Sequence, residues 1–246
     1  MIYKLDGIDI RDYGAKLRRT DQCFALHGFL DLPARIGNTE HNWGTSIEPF
    51  VDKEDIELDG RKLLLHVAIE TSQLQGFLDC NTCDKLTIEN DGVVANFDVV
   101  NRDEVIVNNV GKYKIVDIPF WQYREEIFEL TSIGSASSDS GFAIDNYDLG
   151  RDFNVHLSRG NNIDNIAKRI EVQTTEFYKN RHFRDTRDVE LVCFMRTGLF
   201  TDVYKNITQL QALMYSPGMH TLKVGQMVLD VYFKSGMEVK AIYENL

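Results

Sequence analysis

Arg61-Lys62-Leu63-Leu64-Leu65-His66-Val67-Ala68-Ile69-Glu70, entered through Gly60, alternates apolar and polar residues well enough to predict a β-strand. Thr71-Ser72-Gln73-Leu74-Gln75-Gly76-Phe77-Leu78 follows at once and predicts a short helix, with Thr71 or Ser72 as its N-cap. Three short alternating runs then predict a β-meander over 85–89, 93–100 and 104–107.

The same order returns in the second half. Residues 187–195 alternate as a strand, and 200–214 have helical spacing, with Thr201 or Asp202 as cap and Val203, Ile207, Leu210 and Met214 along one face. Ser216-Pro217-Gly218 ends that helix, and 220–224, 226–234 and 238–243 alternate again. Upstream, Ile10-Arg11-Asp12-Tyr13-Gly14-Ala15-Lys16-Leu17 parallels 146–155, and 47–57 precedes the first core strand as 169–177 precedes the second. The expected fold class is therefore mainly β (α+β), as two tandem units with one short helix each.

Gly134-Ser135-Ala136-Ser137-Ser138-Asp139-Ser140-Gly141 is the low-complexity run of the chain and reads as a linker. It divides a first unit, 1–133, from a second, 142–246, each large enough to bury its own core. The polar stretch 18–43 is long for a connection and is expected to be an arm or loop that orders against a neighbour, with 158–168 as its counterpart.

With 38 Asp and Glu against 27 Lys and Arg, a formal charge of -11, the chain is not built to grip the phosphates of a nucleic acid. It has no apolar run of membrane-spanning length, and Met1-Ile2-Tyr3-Lys4-Leu5-Asp6-Gly7 lacks the layout of a signal peptide, so a cytoplasmic origin without membrane insertion is expected. Four scattered cysteines, Cys23, Cys80, Cys83 and Cys193, are too few for a disulfide framework.

Candidate chemistry is sparse. Cys80-Asn81-Thr82-Cys83 has the spacing of a metal or redox pair, yet it lacks a second ligand pair and follows the helix, where the dipole does not lower a thiol pKa. His27, His41, His66, His156, His182 and His220 show no paired-ligand spacing. Asp52, Glu54, Asp55 and Glu57 read as a solvated acidic face, and Phe120, Trp121 and Tyr123 as a strand end packed on the core, with a carbohydrate platform around Trp121 as the alternative. No catalytic, cofactor-binding or metal-binding residue is assigned, no cofactor is expected, and the chain is read as a structural protein, not an enzyme.

Leu32-Pro33-Ala34-Arg35-Ile36-Gly37-Asn38-Thr39-Glu40-His41-Asn42-Trp43-Gly44, running on to 50–56 and Gly60-Arg61, resembles the N-terminal region of distal tail proteins of long-tailed bacteriophages and prophages. Asp6-Gly7, Tyr13-Gly14 and the turn Ser216-Pro217-Gly218-Met219-His220 belong to the same likeness. The resemblance covers about the first 70 residues and extends over the remainder only by element order. It implies β-sandwich or barrel units of the tail-tube type, in a homo-oligomeric ring that joins the tail tube to the baseplate and adhesion proteins. In that setting DNA is met only in transit through the central channel, and the location is the virion tail, assembled in the host cytoplasm. The family's rings are six-fold, so a chain with two such units would close as a trimer and a chain with one as a hexamer. The runner-up function is a carbohydrate-binding module that recognises a cell surface.

Overall fold

The computed structural model describes residues 1–18, 20, 24–43, 46–79, 82–123, 129–131, 140–158, 169–173, 178–182 and 188–242, with backbone alone for 169–173 and 178–182. The first half carries β1 (Ile2–Leu5), β2 (Ile8–Asp9), a 3₁₀ turn (Ile10–Tyr13), β3 (Lys16–Leu17), β4 (Leu26–His27), β5 (Glu40–Asn42), β6 (Ile47–Pro49), β7 (Arg61–Glu70), α1 (Leu74–Leu78), β8 (Lys85–Asn90), β9 (Val93–Asp98), β10 (Ile106–Val110) and β11 (Tyr113–Gln122). The second carries β12 (Phe142–Ile144), β13 (Tyr147–Asp148), α2 (Leu149–Asp152), β14 (Val155–Leu157), β15 (Arg169–Gln173), β16 (Tyr178–His182), β17 (Cys193–Met195), α3 (Phe200–Tyr215), β18 (His220–Val224) and β19 (Met227–Val231). The protein is mainly β, built of antiparallel sheets with few helices.

Alternation decides how β7 packs. Leu63, Leu65, Val67 and Ile69 turn to one face and are completely buried, while Lys62, His66 and Ala68 turn to the other. β11 pairs it along its whole length, from Tyr113 opposite Glu70 to Gln122 opposite Arg61, and β3 and β4 pair its other edge. Arg61 is buried at the end of this ladder, where Nε donates to Gln122 Oε1 at 2.8 Å and Nη1 to the Asp31 carbonyl at 2.6 Å.

Two four-stranded sheets share one strand order, β2-β1-β8-β9 and β13-β12-β18-β19. Their contacts correspond residue by residue. Leu5 faces Leu86 as Ile144 faces Leu222, and the turn after each carries an aspartate at positive φ, Asp6 at 48° and Asp145 at 53°. The Asp6 amide donates to the Lys85 carbonyl and the Asp145 amide to the Thr221 carbonyl, both at 2.9 Å, and each carboxylate accepts the amide of that same partner residue. Three residues further on, Asp9 caps the 3₁₀ turn through the Arg11 amide and Asp148 caps α2 through the Arg151 amide. A short strand then pairs with the strand before the helix, β3 with β7 and β14 with β17.

Several expectations are corrected. α1 starts at Leu74 without a side-chain cap, because the Thr71 hydroxyl donates to the Lys112 carbonyl instead. α3 is 16 residues long, starts after Leu199, and uses neither Thr201 nor Asp202 as cap; the Thr201 hydroxyl reaches the Asp91 carbonyl. Together with α2 it gives the second half two helices, not one short one. Among the described residues of the strand predicted over 187–195 only Cys193–Met195 form a strand, and no strand occupies 238–242. The stretch 18–43 does not stand off the molecule as an arm: Phe24, Ala25, Leu26, Phe29, Leu30 and Leu32 are buried, all but Leu32 in the first core. Most of the predicted linker lies outside the described residues, while Ser140 and Gly141 already belong to the second sheet, through Ser140 to Asp148 and Gly141 to Gly225.

Helix α3 joins the two cores. Phe200 and Ile207 enter the first, with Phe200 edge-on to Phe24 at 5.4 Å, whereas Leu213 enters the second beside Phe142, Ile144 and Phe153. With apolar groups on both sides, the polar residues between them are buried too and need partners. Gln211 donates to the Leu30 carbonyl at 2.9 Å, and Gln209 accepts from both the amide and the hydroxyl of Thr131 at 2.7 Å.

Candidate functional site

Among the described residues, the cysteines and the acidic cluster that sequence chemistry singles out do not converge. Cys83 is buried in the first core just ahead of β8, and burial, helped by the Asp6 and Asp84 carboxylates, pushes its thiol up to about 12. A thiol held protonated is a poor nucleophile and metal ligand. Its sequence partner Cys80 lies outside the described residues. Asp52, Glu54, Asp55 and Glu57 are exposed around a 3₁₀ turn, Lys53–Asp55. Among the described residues, no group of three or more His, Cys, Asp or Glu side chains is placed to hold a metal ion.

The aromatic cluster splits by strand alternation. Phe120 is core, Trp121 is half-buried with its indole against Gly60, and Tyr123 is exposed. The Arg102 guanidinium lies 5.2 Å from the Trp121 ring and 5.3 Å from the Tyr123 ring. A sugar docking on Trp121 would have to compete with that cation–π contact.

Two histidines are built into polar clusters. His66, on the face of β7 turned away from the first core, places Nδ1 2.6 Å from Asp117 Oδ1 on β11, and the His27 ring stands edge-on at 4.5 Å. This is the geometry of a base held by a carboxylate, and among the described residues the buried Nε2 has no hydrogen-bond partner in a nucleophile's place. His220 bridges Asp145, at 2.7 Å, and the Ser216 carbonyl, at 3.1 Å, fixing the end of α3 to the second sheet. Both histidines read as structural locks.

Two hollows accompany these clusters. An open depression of about 460 Å³ lies at the start of α3 among Asn154, Arg196, Lys205 and Asn206. A cavity of about 10 Å³ between Arg35, His220 and Tyr232 has room for roughly one water molecule.

The features that stand out chemically are the strand edges. β10 closes one side of its sheet, all five of its residues, Ile106-Val107-Asn108-Asn109-Val110, are exposed, and none is charged. Ile106 is 56% and Val110 54% exposed. Val94 on β9, Val228 on β19 and Phe194 on β17 add further exposed apolar groups on outer strands. Among the described residues the β10 edge carries no proline, lysine or covering loop, and such an edge is a template for another strand. Sequence periodicity marks such strands as strands; it does not tell an edge from a centre, and that distinction is what makes these residues candidates.

Comparison with protein-family models, with curated proteins and with solved structures finds no match to this chain. Among the described residues, no helix is long and apolar enough to cross a membrane.

Proposed function

We propose that the chain is two tandem β-sandwich or barrel units of the tail-tube type, whose copies assemble into a ring at the distal end of a phage or prophage tail. The observation that carries this reading is the recurrence of one strand order with matched contacts, Asp6 with Lys85 and Asp145 with Thr221, in the two halves. Two versions of one module in one chain supply pseudo-equivalent surfaces, and exposed apolar edges on that module are what a closed ring of strands would cover. The likeness of 32–44 to distal tail proteins supplies the biological setting, in which the ring joins tube to baseplate and surrounds the DNA exit channel. Net charge -11 suits a channel that must release a polyanion.

Six units need three chains. Native mass spectrometry of the purified protein is expected to give a trimer, with a central hole in negatively stained images. A strict monomer at high concentration refutes the ring.

A further inference from the structure

The two halves differ in one respect that concerns assembly. β7 is flanked on both sides, by β3 and β4 on one edge and by β11 on the other. Among the described residues its counterpart β17 is flanked by β14 alone, and no hairpin corresponding to β10–β11 covers its second edge. We infer that this open edge of β17 is filled by β10 of a second copy of the chain.

Backbone geometry supports both sides of the contact. The β10–β11 hairpin turns through Gly111 and Lys112, with Val110 opposite Tyr113 as its closing pair. In a two-residue hairpin the closing pair exchanges both hydrogen bonds and the pairs alternate from there. Asn108 and Ile106 therefore bond β11, while Val107 and Asn109 aim N–H and C=O outward. On the receiving side, Ser158 N donates to Val192 O at 2.9 Å and Arg196 N to Asn154 O at 3.4 Å. That parity directs Phe194 to β14 and leaves the backbone groups of Cys193 and Met195 facing away from it. Each strand thus offers two residues with matching donors and acceptors.

The chemistry of the side chains favours a second copy as the occupant. Two chains of net charge -11 meet with least repulsion through neutral surface, and Ile106–Val110 and Cys193–Met195 contain no charged residue. The donor edge and the acceptor edge are different strands, so the contact is head-to-tail, the type that generates a ring when the rotation closes. This inference rests on the ring reading above and names the strand pair that would close it.

Two pairs of variants of the whole chain test it. Val107→Pro and Asn109→Pro each remove an outward amide without removing a bond to β11, and each should weaken assembly by about tenfold or more while circular dichroism stays unchanged. Independently of whether those variants fold, Val107→Cys and Asn109→Cys are oxidised in a mixture of ¹⁴N- and ¹⁵N-labelled protein, and disulfide peptides are mapped by mass spectrometry. A mixed-isotope link from one of them to native Cys193 is the expected result. If the wild type forms a ring, the proline variants assemble as it does and the links fall elsewhere, the strand assignment is wrong and the ring stands. A monomeric wild type overturns both.

Discussion

Replacing Arg35 with alanine should detach the C-terminal segment from the first unit. The guanidinium ties three separate stretches together: Nη1 donates to the Phe233 carbonyl at 3.2 Å, and Nη2 to the carbonyls of Phe50 at 2.6 Å and Asp55 at 3.3 Å. A hydrogen bond from a charged donor contributes roughly 1.5–3 kcal/mol, and a buried carbonyl left bare costs roughly 1–3 kcal/mol. The Asp55 residue is exposed and its carbonyl can return to water, so the loss falls mainly on Phe50 and Phe233. Against it stands a relief, because Arg35 Nε is buried without a partner and its removal ends that penalty. The net destabilisation is about 2–3 kcal/mol, which at a slope near 2–3 kcal/mol/M moves the urea midpoint down by about 1 M. Urea titration followed by Trp121 and Trp43 fluorescence reads the midpoint. Hydrogen exchange reads the locality, since the paired amides of Leu32 and Met237 should open first. Arg35→Lys, which keeps the charge but not the fork, should recover less than half of the loss. A midpoint within about 0.2 M of wild type, or full recovery by lysine, would refute the clamp.

Four further outcomes follow from the same geometry. Burial pushes the Asp148 carboxyl up, but hydrogen bonds from Ser140 and the Arg151 amide, with the Arg151 charge, outweigh it and hold the group below the usual carboxylate range. Its stabilisation is therefore present above the unfolded value near ~3.9 and is lost as pH falls through the lower folded value, so Asp148→Asn should flatten the acid limb of a Tm-against-pH curve; an unchanged limb counts against the cap. Phe200→Ala should cost about 3–4 kcal/mol by opening a void beside Phe24 and Phe29, measured by chemical denaturation. Gly236→Ala should disrupt the Leu32–Met237 bridge, because a Cβ there would stand 1.8 Å from the Leu32 carbonyl oxygen; unchanged exchange at Met237 would contradict this. Cys83 should resist maleimide at pH 8 until the protein unfolds, and labelling of the native state would show that its burial is wrong.

Local sequence placed several of the elements. The alternation of Arg61–Glu70 and His220–Val224 is a property of neighbours in the chain, and both strands lie where that alternation places them. The spacing behind α3 is likewise local: its predicted end at Ser216 holds, and Val203, Ile207 and Leu210 of its predicted face pack on the cores, but Gln209 and Gln211 are buried as well because the helix touches two cores at once. The caps failed for a similar reason. Thr71 and Thr201 have carbonyl partners far along the chain, Lys112 and Asp91, that no window of sequence reveals. Nor did the polar look of 18–43 disclose that Phe24, Leu26 and Phe29 fill the first core, because burial there is set by β4 meeting β7 across a long loop.

The sequence by itself determined a β-rich chain with two similar orders of elements and a net acidic charge, all of which depend on composition and near-neighbour periodicity. Only the tertiary structure decided that the two sheets match contact for contact, that α3 binds both cores, and that β10 and β17 are edges. Being an edge depends on which distant strand arrives alongside, and hydrogen bonding across a sheet is the step that local patterning does not encode.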